Sequence, residues 1–128
     1  MEVIFEITGP DAKALCQALV GAAHPSADME LPGGMRLQYR GLSKDKSRDT
    51  GLVEILLFAL NVPLSVTASV AASLILEHLR SRGDKHAREV CLRGENYCKA
   101  IGNLNEPRAS QEIAAASERQ RVAESTNT

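Results

Sequence analysis

The stretch LVEILLFALNVPLSVTASVAASLILEHL, residues 52–79, decides how this chain is read. Residues 55–76 carry no charge, and roughly 20 apolar residues are enough for a helix to span a bilayer. Asn61-Val62-Pro63 interrupts the run near where a spanning helix would lie deepest. The proline removes a backbone donor and drives Val62 away from helical geometry. The run therefore reads as two helices. The first, residues 50–60, is apolar almost all round, with Leu52, Val53, Ile55, Leu56, Leu57, Phe58 and Leu60. The second opens with Pro63 in its first turn, runs to about Arg82, and carries Asn61, Ser65, Ser69 and Ser73 at intervals of four.

Lys44, Lys46 and Arg48 before the stretch balance Arg80, Arg82 and Lys85 after it, so no positive-inside asymmetry orients a span. The amphipathic strands on both sides need apolar helices to cover them, which places the stretch inside a folded domain. A small subunit anchored in a membrane through residues 52–79 is the alternative. A helix apolar on several sides must bury more than one of them. The small-residue stripe of Ser65, Ser69 and Ser73 is therefore expected at a homo-oligomer interface, where close backbone approach is possible.

Outward from this stretch the pattern changes to strands. EVIFEIT alternates Val3, Phe5 and Ile7 against Glu2, Ile4 and Glu6. Thr8-Gly9-Pro10-Asp11 reads as a helix start with Thr8 as cap, followed by the stripe Ala12, Leu15, Cys16, Leu19, Val20 and Ala23, ending near His24-Pro25. MRLQYR alternates again, with Met35, Leu37 and Tyr39 inward and Arg36, Gln38 and Arg40 outward. Should this strand neighbour the first, Glu2 and Glu6 face Arg36 and Arg40. SKDKSRDT, residues 43–50, reads as a solvated mixed-charge connection.

HAREVCLRGENYCKAIG reads as a hairpin around Gly94-Glu95-Asn96. A three-residue loop puts Val90, Leu92, Cys98 and Ala100 on one face, and Glu89, Cys91, Arg93, Tyr97, Lys99 and Ile101 on the other. A two-residue Gly94-Glu95 loop instead sets Cys91 opposite Cys98. The first register sorts apolar from polar residues better and is the one expected. Residues 104–128 form an alanine-rich tail, and within its segment SQEIAAASERQRVAE only Ile113 and Val122 are large and apolar. A projecting or loosely docked helix is expected there, with those two residues available to a partner chain.

The implied architecture is α/β: a two-layer sandwich ordered strand, helix, strand, long broken helix, hairpin. Its mixed sheet carries helices on one face, and a C-terminal helical tail follows. Residues 1–103 form the domain and 104–128 the tail. The uncovered sheet face, with Arg36, Arg40, Arg93, Tyr97 and Lys99, is the expected partner surface.

Composition narrows the function. With 128 residues, 44% of them hydrophobic, the chain can bury one core unaided. A net charge of -1, only 3% aromatic residues and no Trp argue against nucleic acid. Three cysteines and an acidic start, MEVIFEIT, point to a cytoplasmic protein with reduced thiols. His24, His78 and His86 are the only histidines, and Glu77-His78 reads as a polar helix end rather than an acid/base pair. A thiol site built from Cys16 or Cys91 with His86 would need an accessible electropositive setting. Gly33-Gly34 precedes a strand, whereas phosphate cradles lead into helices. No catalytic residue, cofactor or metal ligand is expected.

The opening EVIFEITG, the element GLVEILLFAL, the break NVP, the helix ending LILEHLRSR and the hairpin REVCLRGENYCKAIG together resemble the effector-associated constant components. These are small bacterial proteins inferred to belong to multi-gene conflict and defence systems. The resemblance covers roughly residues 1–103; NVP stands where a glycine-rich turn is usual, and the alanine-rich tail is extra. It implies a non-enzymatic adaptor that couples effector or sensor proteins, and it carries no ligand residues with it; an effector protease or nucleotidase is the expected partner. A phage or mobile-element inhibitor that occludes a host defence or toxin enzyme is the competing reading.

Overall fold

The computed structural model describes residues 2–42, 54–83, 85–93, 97–104 and 107–126, with backbone alone at 54, 121 and 123–126. Its elements are β1 (Glu2–Gly9), α1 (Ala12–Val20), β2 (Asp28–Glu30), β3 (Arg36–Leu42), β4 (Glu54–Asn61), α2 (Ala68–Gly83), β5 (Glu89–Leu92), β6 (Tyr97–Ala100) and α3 (Pro107–Thr126). The class is α/β. The strands form one six-stranded sheet in the order β2-β3-β4-β1-β5-β6. The mixed-charge segment 43–50 lies outside the described residues.

Alternation builds β1 and β3 as expected. Val3, Phe5 and Ile7 are buried on one face, and so are Met35, Leu37 and Tyr39. α1 starts later than the sequence suggests: the Asp11 carboxylate accepts from the Ala14 amide at 3.1 Å and is the cap. Thr8 remains in the strand and donates to the Glu89 carbonyl at 3.4 Å. The helix ends at Gly21, whose left-handed φ of 76° suits glycine, before His24-Pro25 is reached. Ala23 is consequently exposed rather than part of the apolar stripe.

The largest correction concerns residues 50–60. Residues 54–60 of that stretch belong to the strand Glu54–Asn61, not to a helix. It pairs along its whole length with β1, from Glu2 opposite Asn61 to Gly9 opposite Glu54, and with β3 on its other side. Its apolar run is continuous because one face lies in the core while on the other Ile55 and Ala59 are buried and only Leu57 is half-exposed. Leu56, Phe58 and Leu60 are fully buried in the core, and Ala59 is covered between Ile4 and Gln38 of the neighbouring strands. The long broken helix is therefore a central strand followed by one helix. That helix begins at Ala68, with the Thr67 hydroxyl accepting from Val70 N at 3.4 Å, so Pro63 and Ser65 lie in the preceding turn.

Strand direction is the second correction. Every neighbouring pair is antiparallel. The crossovers β1-α1-β3 and β4-α2-β5 do join strands of like direction, but in each case one antiparallel strand is inserted between them. This is the ferredoxin-like split β-α-β order, flanked here by β2 and β6.

The third is α3, which is docked rather than projecting. Ala109, Ile113 and Ser117 recur every four residues and are buried, each at most 1% exposed. The helix packs against α2 and β1. Small side chains at Ala109 and Ser117 let the two helices approach closely. α1, α2 and α3 thus close one side of the sheet over a core that includes Phe5, Phe58, Leu19, Ile75 and Leu79.

Close backbone contact fixes the junction of β1 and β5. A Cβ on Gly9 would lie 2.3 Å from the His86 carbonyl oxygen. Gly9→Ala is expected to cost about 1–3 kcal/mol through overpacking, read as a lower urea midpoint with an unchanged slope. An unchanged midpoint would show that the backbone around His86 yields freely.

Candidate functional site

With the helices on one side, strand alternation assigns the other face. Glu2, Ile4 and Glu6 of β1 occupy it with Ile55, Leu57 and Ala59 of β4, Arg36 and Gln38 of β3, Glu89 and Cys91 of β5, Arg93 just after β5, whose amide donates to the Ile4 carbonyl, and Cys98 of β6. Its centre is apolar and its margins are charged. Ile4 and Leu57 are half-buried there, while Arg36, Arg40 and Arg93 are exposed.

A bulge aims one margin. The β3–β4 register shifts between Tyr39 and Gly41, leaving Arg40 as the additional residue. Arg40 donates through Nη2 to Glu2 Oε2 at 2.7 Å and through Nε to Gln38 Oε1. Its guanidinium therefore reaches across β4 to β1. The anticipated pairing of strand-one acids with strand-three arginines is met by Glu2 and Arg40 alone; Arg36 turns to Asp28 on β2, at 3.4 Å. Both ion pairs are exposed and contribute only about 0–1 kcal/mol each. They can be exchanged without unfolding the domain.

Two expected surface residues lie elsewhere. Tyr97 is 4% exposed in the core, opposite Leu92, with the Arg108 guanidinium 5.9 Å from its ring centroid. Lys99 stands opposite Val90, also on the helix side. The cause is the hairpin register: Cys91 pairs with Cys98, the arrangement that a two-residue turn produces, although residues 94–96 themselves lie outside the described residues. Apolar sorting within the hairpin alone favours the other register, but Tyr97 is buried here, with Arg108 of α3 over its ring.

The proposed oligomer residues also divide. Ser69 and Ser73 are exposed on α2 and Ser65 is exposed before it, so among the described residues this stripe is not covered by another helix. Leu64, 74% exposed, and Val70, 49% exposed, lie beside it. Val122 is exposed, but Ile113 is buried within its own chain and is removed as an interface residue.

Two side chains that could do chemistry, His78 and Cys16, are engaged within the fold. His78 Nε2 lies 2.9 Å from the Leu19 carbonyl and ties α2 to the end of α1. Burial pushes its pKa down, the Leu19 carbonyl partly restores it, and the Arg82 charge lowers it again. Cys16 is buried on α1, and burial pushes its thiol pKa up against a hydrogen bond with Tyr39, which makes it a weak nucleophile. A hollow of about 210 Å³ lined by Ala12, Lys13, Cys16, Ala23 and Tyr39 lies beside it. The thiols are not all reduced: Cys91 and Cys98 are joined as a disulfide. The donor atoms of Glu89, Cys91 and Cys98 lie within 4.8 Å of one another, a grouping the expected hairpin register would have separated.

Among the described residues, no helix is long and apolar enough to cross a membrane. Compared with protein-family models, curated proteins and solved structures, the chain matches none.

His78 supplies a pH test of this assignment. Its folded pKa lies below the ordinary imidazole value of 6.5, so in the window between the two the unfolded chain binds the additional proton. Stability is expected to be complete above that value and to fall as pH drops through the window. His78→Gln should flatten that part of the urea-midpoint profile; an unaltered acid limb would assign the titration to another group.

Proposed function

We propose that the chain is a non-enzymatic adaptor in a bacterial defence or conflict system, docking an effector protein on the open face of its sheet. The observation that carries this reading is the anatomy of that face. Half-buried Ile4 and Leu57 form an apolar centre ringed by Glu2, Glu6, Arg36, Arg40 and Arg93, the arrangement of apolar core and polar rim typical of protein–protein contacts. Acidic and basic side chains alternate around it, which suits a protein of mixed charge and disfavours a polyanion. The structural employment of His78 and Cys16 supports a binding role over catalysis.

The test is affinity purification of the tagged chain from the cells that encode it, alongside Arg40→Glu/Arg93→Glu. Both positions are exposed, so the variant should keep its circular dichroism and urea midpoint to within about 1 kcal/mol. The wild-type chain is expected to retain an effector such as a protease or nucleotidase in fixed proportion, and the variant to lose it by at least about tenfold, roughly 1.4 kcal/mol. Identical protein sets, or wild type recovered alone, would overturn the proposal and favour an inhibitor with a partner outside these cells.

Self-association belongs to a separate surface. Leu64 and Val70, exposed beside Ser69 and Ser73, support a homo-oligomer built through the outer side of α2. Val70→Glu should leave the monomer folded and reduce the mass found by light scattering; an unchanged mass would free this surface from that role.

A further inference from the structure

Cys91 and Cys98 stand directly across the β5–β6 ladder, with Cα atoms 4.1 Å apart. The Ile101 amide donates to the Arg88 carbonyl at 3.0 Å. Hydrogen-bonded and non-hydrogen-bonded pairs alternate along an antiparallel ladder, so Cys91 and Cys98 occupy a non-hydrogen-bonded pair, where opposed side chains are closest. Glu89, two residues before Cys91 on the same face, brings Oε1 to 3.3 Å from Cys91 Sγ. Glu6 lies opposite Cys91 on β1, again on that face.

In the disulfide form the sulfur has no proton to donate, so the nearby Glu89 carboxylate gains no hydrogen bond from it. In the reduced form two neutral thiols stand beside a carboxylate, and a cation bound there would relieve the like charges that gather as the thiols give up their protons. We infer that the reduced chain binds Zn²⁺ through Cys91 Sγ, Cys98 Sγ and a Glu89 carboxylate oxygen, leaving a fourth position beside Glu6. Two thiolates select a borderline-soft divalent ion over Mg²⁺ or Ca²⁺, and three protein ligands leave Zn²⁺ one open site.

Oxidation state then controls the site. A dithiol reductant attacks the disulfide at Cys98, the more exposed of the two residues. The reductant's sulfurs become a disulfide, its two electrons enter the Cys91–Cys98 bond, and its two protons end on the freed thiols. Zn²⁺ binding displaces those two protons to solvent as the thiolates coordinate. Reoxidation by a disulfide reverses the sequence, releases the metal and again joins the two strands.

The experiment is anaerobic titration of the full chain with Co²⁺, a spectroscopic stand-in for Zn²⁺, before and after treatment with a phosphine reductant. The reduced chain is expected to develop thiolate-to-cobalt charge-transfer absorption and intense visible bands of tetrahedral coordination, both abolished by one equivalent of Zn²⁺. The oxidised chain should show neither. Cys98→Ser should lose most of the charge-transfer absorption. Glu89→Gln, which keeps both sulfurs, should retain it while weakening Co²⁺ affinity at least about tenfold. Cys16 is present in every sample and controls for an unrelated thiol. Reduced protein with both hairpin thiols free to a thiol reagent and no cobalt spectrum would overturn the inference. Equal binding by the oxidised chain, or by Glu89→Gln, would overturn it too.

Discussion

The pairing of β1 with β4 is the constraint on which the remaining architecture rests. Eight residues of each strand face one another, and Phe5 lies opposite Phe58 at the middle of the ladder. Because β1 also pairs with β5, and β4 with β3, both strands are interior to the sheet. A slip of one residue would turn Val3, Phe5 and Ile7 away from the helices and bring Glu2 and Glu6 beneath them. The covered and uncovered faces are thus decided together by one register. The same choice puts Glu6 beside Cys91 and carries the Glu2 carboxylate within reach of the bulged Arg40.

Much of this was legible along the chain where one side of an element is wet. β1 and β3 alternate, and α1 carries a buried stripe of Leu15, Cys16, Leu19 and Val20. The α/β class and the one-sided helical layer follow from these elements and from the helix ending at Leu79 and Gly83. Periodicity falls silent where both sides of an element are apolar. Residues 55–60 show no alternation, and their Leu, Ala and Phe fit a buried helix as readily as a buried strand. Only the partners on both edges of β4 separate the two possibilities.

The open face was read partly correctly for a related reason. Arg36, Arg40 and Arg93 could be placed from local alternation, whereas Tyr97 and Lys99 depend on the hairpin register. α3 was undervalued because its contact uses Ala109 and Ser117, residues too small to register as core. Counting large side chains measures how much a helix can bury, but not how near it can come to a neighbour. The grouping of Glu89 with Cys91 and Cys98 was missed with the hairpin register itself.

The sheet's two borders have a consequence for how anything attaches to it. β2 spans three residues, two of them the acids Asp28 and Glu30, and β6 spans four. Strands so short expose few backbone amides and carbonyls in a row, and charge on a border further discourages another chain from joining the ladder. Growth by strand addition, the route to both β-augmented complexes and fibrils, is therefore poorly supported at either end. Recognition falls to side chains, and its specificity can change by surface substitution while the hydrogen-bonded frame beneath stays the same.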